Sequence, residues 1–184
     1  MPSAWQKRRF VECLRSGGIV AYPTEAVFGL GCDPMNKEAV QALLRLKNRN
    51  VDKGLILLAS DCSQLEPYVA ELAEDIIAKI YDLSQEPTTW LLPAKRSVPK
   101  WLTGKHKTIA VRVTRHGLAN ELCSLSGMAI VSTSANMSGC MPCKTAAQAR
   151  LKFFCKGVFT INGAVGSSRV PSRIIDLLAN KQIR

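Results

Sequence analysis

Leu55-Ile56-Leu57-Leu58-Ala59 is a run of five consecutive apolar residues. A strand that faces solvent on one side alternates apolar and polar residues, whereas an unbroken run is typical of a strand buried on both faces. The run therefore predicts a strand in a sheet that other elements cover on both sides.

Short apolar segments alternate with helical patterns around this run. Ser3 and Asn36 are predicted to cap helices, and Gly17-Gly18 ends the first of them. Further strands are predicted at 19–22, 89–92, 109–113, 129–132 and 158–161, and further helices around 72–80, at 117–126 and at 145–154. This alternation predicts an α/β fold with a mixed sheet. No repeat or linker interrupts the pattern, so we expect a single domain over residues 1–184.

Composition excludes several classes of protein. Hydrophobic residues make up 47% of the chain and charged residues 21%, which is ordinary for a folded globular protein and argues against disorder. No apolar segment is long enough for a signal peptide or a membrane span, so we expect a cytoplasmic protein without a membrane. Seven cysteines include one Cys140-Met141-Pro142-Cys143 pair. A structural zinc ion needs four ligands, so thiols are favoured over zinc.

The net charge of +11 is unevenly distributed. Residues 61–86 carry seven acids and one base, residues 93–116 seven bases and no acid, and residues 140–184 eight bases and one acid. Basic segments of this kind bind phosphate chains through Coulomb attraction and counterion release, but they also aid solubility. Charge alone leaves an RNA-binding surface and a solvated surface both open.

Two polar segments flank the first predicted strands, where α/β folds often place ligands. Residues 23–31 read Pro-Thr-Glu-Ala-Val-Phe-Gly-Leu-Gly; the proline ends the strand and the two glycines permit unusual backbone angles. Residues 47–54 carry Lys47, Arg49 and Lys53 directly before the apolar run. The first segment indicates either a binding loop or a turn, and the second either a phosphate clamp or a solvated charge run.

Two further polar segments lie at later strands. Arg112 shares a strand face with Ala110, and a charge inside so apolar a strand needs a partner, either a protein carboxylate or a substrate carboxylate. Residues 132–139 offer hydroxyls, an amide and backbone N–H groups that could wrap an anion or a ribose, or form a plain turn. The sequence contains no GxxxxGK[ST], GxGxxG, GxSxG or HExxH pattern. His106 and His116 lie in basic stretches and are expected to be solvated.

In order and spacing, these four segments resemble the YrdC/TsaC family of threonylcarbamoyl-AMP synthases over about residues 18–184. The resemblance rests on Pro23–Gly31, Lys47-x-Arg49 with Lys53-Gly54, Ala110–Val113 and Ser134-Ala135-Asn136-x-Ser138-Gly139. It implies a twisted mixed sheet surrounded by helices, with a central positively charged cavity. It also implies formation of an adenylate and pyrophosphate from L-threonine, bicarbonate and ATP with Mg²⁺, for modification of tRNA next to the anticodon. The implied partners are tRNA or double-stranded RNA and the protein complex that transfers the threonylcarbamoyl group to tRNA.

The resemblance also implies roles for particular residues. Those expected to bind ATP are Lys47, Arg49, Lys53, Thr108, Ser134, Asn136 and Arg184, with Lys47 and Arg49 as the catalytic residues. Those expected to bind threonine are Ala26, Arg112, Ser132 and Ser172. The ligands of a metal ion are left undetermined.

Some positions depart from the family pattern. Ala26 replaces a threonine found in many relatives, Asn50 replaces a proline, and residues 84–89 lack the usual Trp and Gly. Two other functions fit parts of the sequence. A double-stranded RNA or ribosomal RNA binding module without catalysis would explain the charge, and a dihydroxybutanone-phosphate synthase would share the fold class but needs clustered acids with magnesium, where this chain has mainly cations.

Overall fold

The computed structural model describes residues 1–82, 86–168, 170, 172–177, 179 and 181–183. Within these ranges the chain forms the helices α1 (Ala4–Arg15), α2 (Lys37–Lys47), α3 (Glu74–Tyr81), α4 (Lys100–Thr103), α5 (Gly117–Ser126) and α6 (Ala146–Phe153). The strands are β1 (Val20–Pro23), β2 (Phe28–Gly31), β3 (Ile56–Ala59), β4 (Thr88–Pro93), β5 (Thr108–Val113), β6 (Ile130–Ser134), β7 (Phe159–Thr160), β8 (Arg173–Asp176) and β9 (Lys181–Gln182). The predicted α/β architecture is confirmed.

All nine strands join one mixed sheet in the order β7-β1-β2-β6-β3-β5-β4-β8-β9. The pairs β1–β7, β3–β5 and β4–β8 are parallel and the other neighbours antiparallel. The apolar run forms β3 near the middle. Leu57 packs in a core cluster with residues of α2, α4 and α6, and Leu58 in a second cluster with residues of α1 and α5. The strand is therefore buried on both faces, as the sequence predicts.

Both predicted helix caps are present, and one predicted helix begins later than expected. The Ser3 and Asn36 side chains accept hydrogen bonds from the backbone N–H groups of Gln6 and Ala39. The helix predicted from Leu72 onward begins only at Glu74, because the preceding segment stays extended through a short β-bridge between Val69 and Ala94. Within the described ranges, no helix is both long and apolar enough to cross a membrane.

The glycines at 29 and 31 serve a purpose different from the predicted one. Neither lies in the left-handed region of backbone angles. Gly31 instead allows close packing of strands, because a Cβ there would lie 2.5 Å from the carbonyl oxygen of Val131. This approach lets β2 lie directly against β6, which helps to form the floor of the cavity described next.

Candidate functional site

One cavity of about 660 Å³ lies on one face of the sheet. Beyond the cavity, α1 and α5 cover the same face. Ile56 of β3 pairs with Ala110 of β5 on one side and with Ser132 of β6 on the other. Paired residues share a face, and so do residues two apart on a strand. Arg112 lies two residues after Ala110 on β5 and therefore faces the same side of the sheet as Ser132.

Residues from all four polar segments meet in this cavity. Nine of the eleven predicted site residues line it: Ala26, Arg49, Lys53, Thr108, Arg112, Ser132, Ser134, Asn136 and Ser172. Lys47 is not among the lining residues, and Arg184 lies outside the described residues. The fold thus gathers positions that are up to about 150 residues apart in sequence into one site.

Two cations define one end of the cavity, which we call the cationic end: Arg49, before the short helix that precedes β3, and Lys53, at the end of that helix. The Arg49 guanidinium is half-buried and its Nη2 donates to the carbonyl oxygen of Gly54 at 2.9 Å. Its Nε is buried and has no hydrogen-bond partner among the described residues. Burial lowers the pKa of Arg49. A half-buried cation in the wall of a cavity is suited to bind an anion.

Lys47 lies beneath this end and holds a loop in place. The residue is 4% exposed. Its Nζ donates to the carbonyl oxygens of Ser134 and, at 2.7 Å, Asn136, and lies 3.3 Å from Asn136 Oδ1. Ser138 Oγ donates back to the carbonyl oxygens of Lys47 and Asn48. The predicted role of Lys47 is a phosphate contact; in this structure its ammonium group donates to carbonyl oxygens of a loop that lines the cavity.

Burial lowers the pKa of Lys47 to about 8, and the positive charges of Arg49 and Lys152 act in the same direction. The oxygens around Nζ favour the charged form, so the side chain remains an ammonium at pH 7. The charge is therefore available to organise the loop at residues 134–138, which carries Ser134 and Asn136 into the cavity.

Replacing Lys47 tests this positioning role. Lys47→Met keeps the side-chain length but leaves the oxygens of Ser134 and Asn136 without a donor. We expect a loss of about 1–3 kcal/mol in the free energy of unfolding, measured by urea titration. Arg45→Met, at an exposed site on the same helix, is the control and should lose much less. A Lys47→Met protein as stable as this control, with weakened ATP binding, would instead support direct phosphate contact.

A hydrogen-bonded network around Arg112 defines the other end of the cavity, which we call the neutral end. Nη1 donates to Glu25 Oε2 at 3.1 Å. Nε and Nη2 donate to Thr89 Oγ1 at 3.1 and 2.9 Å, and Nη2 donates to Ser172 Oγ at 2.5 Å. The partner of Arg112 within the protein is thus a carboxylate, one of the two alternatives left open by the sequence. These bonds use four of the five guanidinium N–H groups.

Glu25 is the functional residue that sequence reasoning missed. It is 8% exposed, and its Oε1 accepts a hydrogen bond from Thr114 Oγ1 at 2.7 Å. Burial raises the pKa of Glu25, but Arg112, Thr114 and backbone N–H groups outweigh that effect and lower it overall. The carboxylate is therefore ionised at neutral pH. The available signal was an acid placed two residues after the strand-ending Pro23.

The remaining predicted features have structural explanations. All seven cysteines are free thiols. Across the described ranges, no three His, Cys, Asp or Glu residues are grouped to hold a metal ion. His106 is exposed at the cavity wall. His116 was predicted to be solvated, but it caps α5: its Nδ1 accepts from the N–H of Ala119 at 3.2 Å and its Nε2 lies 3.0 Å from the carbonyl oxygen of Ala164.

Known proteins resemble the whole chain. The threonylcarbamoyl-AMP synthase of Buchnera aphidicola is 48% identical over 173 residues, covering 93% of this chain and 98% of that protein. The threonylcarbamoyl-AMP synthase of Methylococcus capsulatus is 43% identical over 182 residues, covering 99% of this chain and 98% of that protein.

Among solved structures, P. abyssi Sua5 complexed with L-threonine superposes with a TM-score of 0.83 at 33% sequence identity. The match covers 96% of this chain and 52% of the P. abyssi chain, so this chain spans about half the length of that protein. Residues 12–184 also match the Sua5/YciO/YrdC family, whose description is telomere recombination. With this family match, these identities and the shared fold, the chain belongs to the Sua5/YciO/YrdC family.

Proposed function

We propose that the chain is a threonylcarbamoyl-AMP synthase. The observation that carries this proposal is one cavity with two ends of different chemistry, in a chain 43–48% identical to two synthases of that name. The cationic end suits a triphosphate. The neutral end, built around the Arg112–Glu25 pair, suits an amino acid.

At the cationic end, Arg49 and Lys53 bind the phosphates of ATP. Arg49 lines the cavity and supplies its charge, while Gly54 holds one of its terminal nitrogens. Thr108, Ser134 and Asn136 contact the rest of the nucleotide, and Arg184 joins them by its match to the family. Lys47 acts through this loop instead of touching phosphate, so Arg49 is the catalytic residue that we retain.

At the neutral end, Arg112 binds the threonine carboxylate. Among the described residues one N–H of Arg112, on Nη1, has no partner, and this group and the charge make that contact together with hydroxyl groups nearby. A free two-pronged fork is therefore not required. Ser132 and Ser172 line the pocket, and Ala26 contributes only packing and backbone contacts because it has no hydroxyl.

The chemistry fits such a site. The neutral amine of threonine attacks carbon dioxide, which bicarbonate supplies together with hydroxide. The hydroxide takes up the proton that the nitrogen loses, leaving a carbamate and water. A carbamate oxygen attacks the α-phosphorus of ATP, the bond to the β-phosphate oxygen breaks, and pyrophosphate leaves. Phosphoryl and nucleotidyl transfers depend mainly on positioning and charge neutralisation, so the site needs no acid–base pair. An enclosed cavity also protects the carbamate from water.

Mg²⁺ enters this proposal as part of the substrate, Mg–ATP. Magnesium prefers six oxygen ligands, largely carboxylates, phosphates and water. The described lining residues include one carboxylate, Glu25, and it is already bonded to Arg112 and Thr114. The described residues therefore do not form a magnesium site, and no step is assigned to the metal.

Pyrophosphate release tests the proposal. Incubation with Mg–ATP should yield pyrophosphate only when L-threonine and bicarbonate are both present. Serine and valine serve as controls for the amino acid. Hydrolysis of ATP to ADP at a rate indifferent to threonine would refute the assignment.

We infer that RNA also docks on the protein, as expected for a synthase that supplies tRNA modification. Lys95, Arg96, Lys100, Lys105 and Lys107 are all exposed, in a stretch without acidic residues. We further infer a cytoplasmic, single-domain protein over residues 1–184, whose product passes to the complex that transfers the threonylcarbamoyl group to tRNA.

RNA binding by this surface has a measurable salt dependence. Each phosphate contact that displaces a counterion adds to the slope, so affinity for a tRNA should fall steeply between 50 and 200 mM salt, by about 10³-fold for six contacts. Lys105→Ala combined with Lys107→Ala should reduce both affinity and slope. Affinity that does not change with salt would contradict docking through this surface. An RNA-binding module without catalysis would show the same salt dependence but no threonine-dependent pyrophosphate.

A further inference from the structure

Glu25 is the only carboxylate among the described residues that line the cavity. It also lines a neighbouring cavity of about 570 Å³, together with Ser168 and Ser172, so it lies in the wall between the two. Its backbone is held on the far side, where a Cβ on Gly166 would come within 2.8 Å of the Glu25 carbonyl oxygen. Hydrogen bonds from Arg112 and Thr114 hold the two carboxylate oxygens.

This carboxylate neutralises Arg112. Its Oε2 is 3.1 Å from Arg112 Nη1, and both side chains are largely buried, with 11% and 13% of their surfaces exposed. Opposite charges at this distance in a poorly solvated site cancel each other's field over most of the cavity. The neutral end is named for this balance.

The cationic end has no such partner. Arg49 and Lys53 line it without a carboxylate beside them among the described lining residues. Arg49 donates to the carbonyl oxygen of Gly54, just before β3. Arg112 pairs in register with Leu58 of β3, which lies four residues after Gly54 in the chain. At about 3.3 Å per residue, the two ends are separated by on the order of 10 Å.

The two substrates differ in net charge, as the two ends of the cavity do. A triphosphate carries several negative charges, and a free amino acid carries one charge of each sign. A lone Arg112 would attract either substrate, and the triphosphate more strongly. Paired with Glu25, it no longer attracts excess negative charge, yet the pair still offers a positive and a negative group to a zwitterion.

We propose that Glu25 is a specificity-determining residue that sorts the two substrates within one cavity. By balancing Arg112, it directs the zwitterionic amino acid to the neutral end and keeps the triphosphate at the cationic end. This inference rests on the proposed function, since it takes ATP and threonine as the two ligands.

The test compares two ligands that differ in one charge. L-Threonine and 2,3-dihydroxybutanoate share the carboxylate and the β-hydroxyl, but the second has a hydroxyl in place of the ammonium group. Calorimetry gives the ratio of their affinities. Glu25→Gln should shift this ratio toward 2,3-dihydroxybutanoate by about tenfold or more, since one charge a few ångströms away changes such equilibria by 1–3 powers of ten. Thr114→Val removes a hydrogen bond to Glu25 but leaves both charges, so the ratio should stay within about twofold.

A second arm compares the wild type with Glu25→Gln and can be read from the wild type alone. Inorganic tripolyphosphate should leave threonine affinity unchanged in the wild type and compete with threonine in Glu25→Gln. Competition in the wild type would overturn the proposal even if the variant fails to fold. An unchanged ratio of affinities in Glu25→Gln, including equal weakening of both ligands, would also overturn it, because that result leaves Glu25 a purely structural role. A wild type that does not bind threonine at all would instead defeat the proposed function, and the sorting role with it.

Discussion

Arg49→Ala should lower turnover by about 10²–10³-fold at saturating ATP, the usual cost of removing one preorganised charge donor. The leaving pyrophosphate gains charge as the bond to the α-phosphate breaks. A guanidinium fixed by Gly54 stabilises that developing charge more than it stabilises bound ATP, so its loss acts on rate as well as on affinity. Steady-state pyrophosphate release gives both parameters.

Controls separate this effect from misfolding. Arg49 is half-buried and bonded to Gly54, so the alanine variant should also lose about 1 kcal/mol of stability. Arg45→Ala removes an equal charge from the exposed face of α2 and should keep normal turnover. Arg49→Lys retains the charge without the planar fork and should recover only part of the rate. Wild-type turnover in a folded Arg49→Ala protein would contradict the phosphate role.

Arg112→Ala should weaken threonine binding by about 2–5 kcal/mol, as expected for removing one member of a buried charge pair. The same change leaves Glu25 as a buried carboxylate without its cation, so stability should fall by about 3–5 kcal/mol. Binding is measured by calorimetry and stability by urea unfolding.

Because this loss could unfold the alanine variant, Arg112→Lys gives a second route. An ammonium group cannot reach Glu25, Thr89 and Ser172 together as the guanidinium does, so threonine affinity should recover poorly. Binding of tripolyphosphate at the cationic end should be little changed, which separates a local defect from a global one. Arg115→Ala, at an exposed neighbouring position, should bind threonine normally. Unchanged threonine affinity in folded Arg112→Lys and Arg112→Ala would exclude the carboxylate contact.

Local patterns were sufficient to predict most of the fold. The unbroken apolar run identified β3, because burial on both faces removes the alternation of an exposed strand. Ser3 and Asn36 identified helix starts, because capping depends on residues within one turn. Leu72 was misplaced because a β-bridge from Val69 to Ala94, distant in sequence, keeps that segment extended.

The sequence could predict most of the residues that line the cavity but not which of them contact each other. The four polar segments do meet in one cavity, yet pairing within it depends on strand order, which no local pattern encodes. Glu25 and Arg112 are 87 residues apart and meet only because the turn after β1 lies beside β5. Lys47 likewise donates to the carbonyl oxygens of a loop almost 90 residues away, a contact that no local pattern predicts.

The most direct test of the central claim uses ¹³C-labelled bicarbonate with L-threonine and Mg–ATP. Mass spectrometry of the products should show an AMP adduct carrying threonine and one ¹³C atom, formed in equal amount to pyrophosphate and absent when threonine is omitted. Threonyl adenylate without the label, or pyrophosphate without any adduct of threonine, would contradict the assignment of this cavity to carbamate adenylation.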